Sequence, residues 1–599
     1  MRQKQKVETI RKDLENFELN PSSSNRETYT SKKQNGQNKQ ESEEEQEQED
    51  MPQRISRIRA DLNDLTQVHN ISISPLRYDR LHEYYTTELS LLSKTNFKGL
   101  DRQSKVDYLL LKNLLSKGLR QLDFEKERDK GMKLLLGKWA GVLVGFCEER
   151  QAVRRVEGEN AARGVWEAGK EIDGLKEDVV AGRINSGSGK GSETSKSSAY
   201  RAANTIQKLR EHLREWFAFY KGYDPLFTWW VKEPYGRLDK VMDEYAKVIR
   251  EVVVGIKPGD TDAIVGEPIG REGLLADLKA EMIPYSPEEL ISIGEKEYTW
   301  CLKEMKKAAS ELGYENWKGA LEYVKTLYVP PGEQTQLVRF LAEEAIEYVK
   351  KNDLVTVPRV AEESWRMFMM SPQDQKVNPF FLGGDDIIVS YPDDSMGHEE
   401  KMMSMRGNNI HFSRSTVFHE MIPGHHLQFH MIARYKAYRQ IFDTAFWMEG
   451  WALYWEMILW DKKFPKTPEN RIGMLFWRMH RCARIIFSVK FHLGLMTPQE
   501  CIDMLVDMVG HERENAEGEV RRSFNGDYTP LYQAGYMLGA LQLYSLREDV
   551  LGGRVLTEKQ FHDRVMRENE MPIEMLRALI KRQDLKEDFE TSWRFYREH

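Results

Sequence analysis

Cysteine is scarce: four in 599 residues, at 147, 301, 482 and 501. They are far apart and form no C-x-x-C pair, which speaks against a disulfide framework and against a thiolate zinc site. Long apolar runs are missing as well. Mean hydropathy is −0.63, and no stretch approaches the roughly 18 apolar residues of a membrane span. Neither charge is in large excess, with 88 Lys and Arg against 95 Asp and Glu and a net charge of −7. A dedicated nucleic-acid binder would show a strong basic surplus. The Gly-rich segment GEPIGREG lacks the Gly-Lys-Ser/Thr end of a phosphate loop, and there is no G-x-S-x-G elbow of a serine hydrolase. The opening MRQKQKVETIRKDLENF has neither the apolar core of a secretory signal nor the Arg-rich, acid-poor character of a transit peptide. These absences lead to the expectation of a cytoplasmic chain with no nucleic-acid or membrane partner.

What is present reads as helix. Residues 20 to about 50 are polar and lack aliphatic side chains, so 1–53 is expected to be a disordered extension. From Arg54 on, apolar residues recur every three or four positions, as in ISRIRADLNDL and YDRLHEYYTTELSLL. The Gly/Ser/Lys-rich stretch 185–198 is expected to be a mobile loop within a helical region 54–270. YDPLFTWWVKEPY (223–235), dense in aromatics and punctuated by prolines, reads as a buried aromatic corner rather than a ligand-stacking surface. Residues 255–270 read as a turn-rich connection. Beyond them Ser286 with Glu288 and Glu289 marks a helix start, and 271–599 is expected to be the catalytic region. Strand signals are few. DDIIVSYP (385–392) is the clearest and NNIHFS (408–413) a weaker candidate.

Five of the 14 histidines fall between 411 and 430. The segment TVFHEMIPGHHLQFH (416–430) opens with His419-Glu420 on an apolar-patterned helix. In an H-E-x-x-H site two histidines one turn apart bind a single metal, and the glutamate beside it activates water. Here Pro423 occupies the place of the second histidine. The next histidines, His425 and His426, stand six and seven positions after His419. On a regular helix a spacing of six means a rotation of about 240° and a rise of about 9 Å, too far to share a metal. Pro423 cannot donate back to the His419 carbonyl, and Gly424 follows with permissive dihedrals. The pair is suited to loop out two residues and return His425 to the ligand position, with His426 as the alternative. His411 and His430, each placed singly, read as structural.

A third ligand should come from another helix. Glu449 lies 24 residues after His425 in TAFWMEGWALYWEMILW, where a lone carboxylate is costly unless paired or metal-bound. Glu456, seven residues on, shares its face and is suited to orient a liganding histidine. Tyr528, Tyr532 and Tyr536, spaced by four, would share one helical face and supply a donor for a developing oxyanion. In FWRMHRCARIIFSVKFHLG (476–494), Arg478, Arg481 and Arg484 recur every third residue, with His480 and His492 nearby. His492 and Arg484 are candidates to touch a substrate carboxylate or transition state.

The motifs H-E-x-x-P-G-H-H-L-Q and E-G-W-A-x-Y-x-E resemble the family called domain of unknown function 885, bacterial and fungal zincin-like proteins. More distantly they are similar to thimet oligopeptidase, carboxypeptidase Taq and angiotensin-converting enzyme. The run FYKGYDPLFTWW looks like fungal members, which are often labelled X-Pro dipeptidyl-peptidase. The resemblance implies a mostly α fold, α+β at the active site, split by a deep channel with zinc at its floor. It implies His419, His425 and Glu449 as ligands and Glu420 as catalytic base. A tyrosine in a Q-x-x-Y-x-x-G pattern, here Gln533, Tyr536 and Gly539, points to Tyr536 before Tyr532 as the oxyanion donor. Bacterial relatives show a D-x-G-x-H pattern where this chain has Ser488, Lys490 and His492, so an aspartate and a glycine are missing.

The leading expectation is a zinc (Zn2+) metallopeptidase acting on short peptides, with a small sheet beside the active-site helix. The strand DDIIVSYP would then be the edge along which an extended peptide lies. Two other readings use the same residues: a helical binding protein with a degenerate metal site, and a zinc hydrolase of non-peptide amides or esters.

Overall fold

A computed structural model of the chain describes residues 49–186, 192–260, 263–375, 383–525 and 528–598. Most of the extension 1–53 expected to be disordered lies outside these residues. The chain divides into two compact units, 1–54 and 55–599. In the first, Asp50 Oδ1 accepts from the Gln53 backbone N–H at 2.8 Å, at the start of the helix Met51–Val68.

The second unit is mostly helical, as the three- and four-residue apolar spacing requires. Between residues 71 and 256 one core gathers Trp139, Trp216, Phe227 and Tyr245. Helix α1 (Gly158–Val180) packs along α2 (Pro225–Val248) there. The aromatic corner is corrected. Asp224 caps the helix by accepting from the Leu226 and Phe227 N–H groups, Pro225 occupies the first turn, and the helix runs on through Pro234. Helical period then splits the aromatics. Phe227 and Val231, four apart, are buried, while Trp229 on the other face is 81% exposed. At the two ends of the stretch 185–198, Ile184–Asn185 and Ser192–Glu193 pair in parallel, and Ser195 caps a helix from Lys196 by accepting from the Ser198 N–H. Residues 187–191 of it lie outside the described residues.

Helix α3 (Pro287–Glu311) starts where expected, with a capping box between Ser286 and Glu289. It packs along a long buried helix further on. Helix α4 (Gln334–Lys351) backs a two-stranded sheet of β1 (Arg366–Met369) and β2 (Asp386–Val389), paired in parallel with Arg366 opposite Asp386. The DDIIVSYP strand is thus present. NNIHFS is not a strand. Asn409 accepts from the His411 and Phe412 N–H groups and caps helix α5 (Ile410–Glu420).

The rest of the chain follows as α6 (His425–Ile432), α7 (Ala445–Asp461), α8 (Pro468–His492), α9 (Arg513–Phe524) and α10 (Tyr532–Gly552). α7 lies alongside α10, and α8 alongside α3. Both α7 and α8 are buried almost all round, which explains why α7 is apolar on every face. Among the described residues no helix is long and apolar enough to cross a membrane.

Candidate metal centre

The interrupted histidine motif folds as a break and restart, not as one bulged helix. α5 ends at Glu420, the Ile422–Pro423 peptide bond is cis, and α6 begins at His425. The turn between them is held from outside, by Trp451 Nε1 donating to the Pro423 carbonyl at 2.9 Å. Trp451 follows Glu449 and Gly450 on α7, so one helix both secures the turn and supplies a carboxylate.

The result is a convergence of three side chains. Glu449 Oε2 stands 3.4 Å from His419 Nε2 and 3.2 Å from His425 Nε2. Two ligand atoms about 2.0–2.1 Å from one zinc at the tetrahedral angle are roughly 3.3–3.4 Å apart, so the donor set fits such an ion. The other ring nitrogens are fixed. His419 Nδ1 meets Glu456 Oε1 at 3.0 Å, and Ser415 Oγ donates to Glu456 Oε2 at 2.9 Å. His425 Nδ1 meets Gln428 Oε1 at 3.1 Å, and Gln428 Nε2 donates to the Trp447 carbonyl at 3.3 Å. With Nδ1–H donated outward, each imidazole in its neutral form would present an Nε2 lone pair inward. His419, His425, Glu449 and Glu456 are all buried.

Glu420 lies beside this group. Its carboxylate and the two imidazoles offer ligand atoms all within 4.8 Å of one another. Two carboxylates therefore border the same point, and their surroundings separate them. Burial opposes charge on Glu449, but His425 and His419 outweigh it and hold its pKa well below the usual carboxylate range. Burial raises the pKa of Glu420, only partly offset by the same histidines. Burial also disfavours a charged His419, yet Glu449 and Glu456 overcome it and bring the pKa to about 9. The two carboxylates thus differ in charge preference: Glu449 is held ionised, and burial favours the protonated form of Glu420. The backbone of Gly383, just before β2, covers Glu420: a Cβ there would lie 2.1 Å from Glu420 Oε2.

The α7–α10 crossing brings the tyrosines to the site. A Cβ on Gly450 would lie 2.7 Å from Gly539 Cα, and one on Gly539 would lie 2.0 Å from the Phe446 carbonyl oxygen. Backbones this close let Tyr532 Oη donate to Glu449 Oε1 at 2.5 Å. The Tyr536 ring stacks on His419, with centroids 6.0 Å apart and planes 14° from parallel. Burial is the first cause that raises the pKa of both tyrosines, so each stays protonated. Tyr528 precedes α10 and packs on Tyr532, with ring centroids 4.1 Å apart. These groups line one cavity of about 200 Å³, together with Arg481, Arg484, Glu519 and Arg522.

Other histidines are placed elsewhere. His426 spends both ring nitrogens on backbone carbonyls, those of Asp385 and Ala361, each at 2.9 Å. His411 Nδ1 meets Asn470 Oδ1 at 2.8 Å. His492 does not line the cavity; it packs against Phe491 and Phe524, and burial pushes its pKa down to about 4. Sequence reasoning gave no role to Gln428, Ser415 or Glu519. For Gln428 a signal existed, since it stands three residues after His425 on the same helix.

Comparison with known proteins adds the family and the fold. No curated protein matches. A structure described as a "putative lipoprotein of unknown function" from Shewanella oneidensis is 18% identical, with a TM-score of 0.64 over 89% of this chain and all of that one. A second such lipoprotein, from Colwellia psychrerythraea, is 16% identical, with a TM-score of 0.54 over 85% of this chain and 91% of that one. The description "bacterial protein of unknown function (DUF885)" matches residues 68–580. With its break-and-restart histidine turn set within that span, the chain belongs to the DUF885 family.

Proposed function

We propose that the protein is a zinc-dependent metallopeptidase that hydrolyses short peptides. One observation carries this reading: the Glu449 carboxylate stands at tetrahedral ligand spacing from each of two buried imidazoles, beside a second carboxylate. His419, His425 and Glu449 would hold a zinc ion, which would supply Lewis acidity toward a carbonyl and toward water. Glu420, beside the two imidazoles, accepts the proton of the attacking water and passes it to the leaving amine. Glu456 and Gln428 hold the two imidazoles in the liganding tautomer. Tyr532 holds Glu449 by its hydroxyl, and Tyr536 is assigned as donor to the developing oxyanion. The cavity is smaller than the roughly 300–1,000 Å³ of sites for drug-sized ligands, which favours short substrates.

The test is metal analysis of the purified chain together with cleavage of a mixed short-peptide library by wild type and Glu420→Gln. Stoichiometric zinc, and cleavage that falls about 10²–10⁴-fold in the variant, are expected. No zinc, or unchanged cleavage, overturns the proposal. Zinc without any hydrolysis would indicate a binding protein, and hydrolysis only of other amides or esters a different hydrolase.

A further inference from the structure

One guanidinium in the cavity has no task in the chemistry above. Arg481 sits on α8, only 7% exposed, and lines the cavity. Arg484, one turn on, makes two hydrogen bonds to Glu519, at 2.6 and 3.0 Å. Arg481 has no such partner. Its Nε lacks a hydrogen bond, and its nearest carboxylate oxygen, Glu456 Oε1, is 4.0 Å from Nη2. Both Glu456 oxygens already serve His419 and Ser415. Arg484 Nη1 is also without a partner. The two guanidinium carbons lie 5.2 and 4.3 Å from the centroid of the Tyr536 ring, which stacks on His419. Arg481 is thus a buried cation that borders the cavity without a close carboxylate partner, beside the proposed metal ligands. Burying such donors is costly unless an anion meets them.

The charge of the cavity leads the same way. Arg481, Arg484 and Arg522 face Glu420, Glu449 and Glu519. With the imidazoles neutral, as metal ligands are, these three positive and three negative groups balance, and a divalent cation leaves the lining positive.

We infer that the Arg481 guanidinium receives the free carboxylate of a peptide C-terminus, so that the enzyme trims peptides from the carboxyl end. The inference rests on the peptidase reading and names its substrate class. Distance limits the number of residues released. The 4.0 Å and 3.0 Å contacts share Glu456 Oε1, so Arg481 Nη2 lies no more than 7.0 Å from His419 Nδ1. Nδ1 is on the ring edge turned from the metal position, which adds about 4 Å of ring and Zn–N bond, and an extended chain covers about 3.3–3.6 Å per residue, so at most about three residues fit beyond the cleaved bond. Water adds across that C–N bond and frees a C-terminal amino acid or short peptide. An acidic side chain offers the same chemistry as a terminal carboxylate, so the test must separate the two.

The experiment measures binding of three probes to the full chain by calorimetry, with zinc and after chelation. The probes are N-acetyl-Ala-Phe as free acid, its C-terminal amide, and N-acetyl-Asp-Phe amide. The free acid is expected to bind about 10- to 100-fold more tightly than either amide, the range of a charge-assisted hydrogen bond. Arg481→Gln should erase that preference and Arg481→Lys restore part of it. For cleavage, Arg481→Gln should raise KM for free-acid peptides while kcat holds, because the contact is made equally in ground and transition states. Equal binding of acid and amide by wild type overturns the inference, whether or not the variants fold. So do an Asp-bearing amide that matches the free acid, absence of binding by all three, or a preference that survives in Arg481→Gln. If peptides are cut without regard to their C-terminus, only this inference fails. If the acid preference is seen but Glu420→Gln cleaves like wild type, the peptidase reading fails instead.

Discussion

Gly424 lies so close to His419 that a Cβ on it would stand 1.8 Å from the His419 carbonyl oxygen. The close approach lets α6 restart directly beneath the end of α5 and swing His425 toward the same point as His419. A methyl group there meets backbone, which cannot step aside as a side chain could. Gly424→Ala is expected to cost at least about 1–3 kcal/mol and to lose stoichiometric zinc. Denaturant midpoints and metal content check this; a variant equal to wild type in both would remove Gly424 from the account.

Glu456 and Gln428 act on the metal through the histidines they hold. Glu456→Ala and Gln428→Ala are each expected to weaken zinc binding about 10- to 100-fold. Cleavage at saturating zinc should suffer much less than in Glu420→Gln. Competition titration against a chromogenic chelator measures the first effect and turnover of the zinc-loaded variants the second. Unchanged zinc affinity in both variants would mean that the imidazoles need no outside support.

Much of this was legible in the sequence, and the misses share a cause. Helical periodicity, the Ser286 start and the 386–389 strand follow from local spacing and capping chemistry, and the structure has them. NNIHFS misled because alternation in four residues is weaker evidence than an asparagine placed to accept from two N–H groups. The exposure of Trp229 depended on the face its helix turns outward, which packing decides. The break at Pro423 was visible as an interruption of the histidine spacing, but its hold by Trp451, which arrives from a helix 28 residues on, is a tertiary fact. The open donors of Arg481 are equally invisible in an arginine repeat. They emerge only once Glu519 is seen to occupy Arg484 and not its neighbour.

The α7–α10 crossing gives a further test. Gly539→Ala would set a Cβ 2.0 Å from the Phe446 carbonyl oxygen and force the helices apart. That moves Glu449 away from Tyr532. A loss of about 1–3 kcal/mol or more is expected, with weaker zinc binding. Gly552→Ala, at the far end of the same helix, meets nothing within 4 Å and should be neutral or stabilise by about 0.5–1 kcal/mol. Chemical denaturation of the pair decides it: equal effects at the two positions would refute the close-packing argument.

Glu570 links stability to pH at a place remote from chemistry. It is 5% exposed, and burial first, then the charge of Asp443, raises its pKa to about 7. The folded state therefore holds a proton that the unfolded chain releases near the ordinary value of 4.5. Below about 4.5 both states are protonated and the group costs nothing. As pH rises from there to about 7 the folded state is progressively penalised, by up to about 3 kcal/mol at pH 8. Glu570→Gln keeps the shape and removes the titration. It should stabilise the protein by about 1–3 kcal/mol at pH 8 and by much less at pH 5, since little of the penalty has accrued there. Urea midpoints of wild type and variant at both pH values measure the difference. A gap between them that does not change with pH would show that Glu570 titrates normally in the fold.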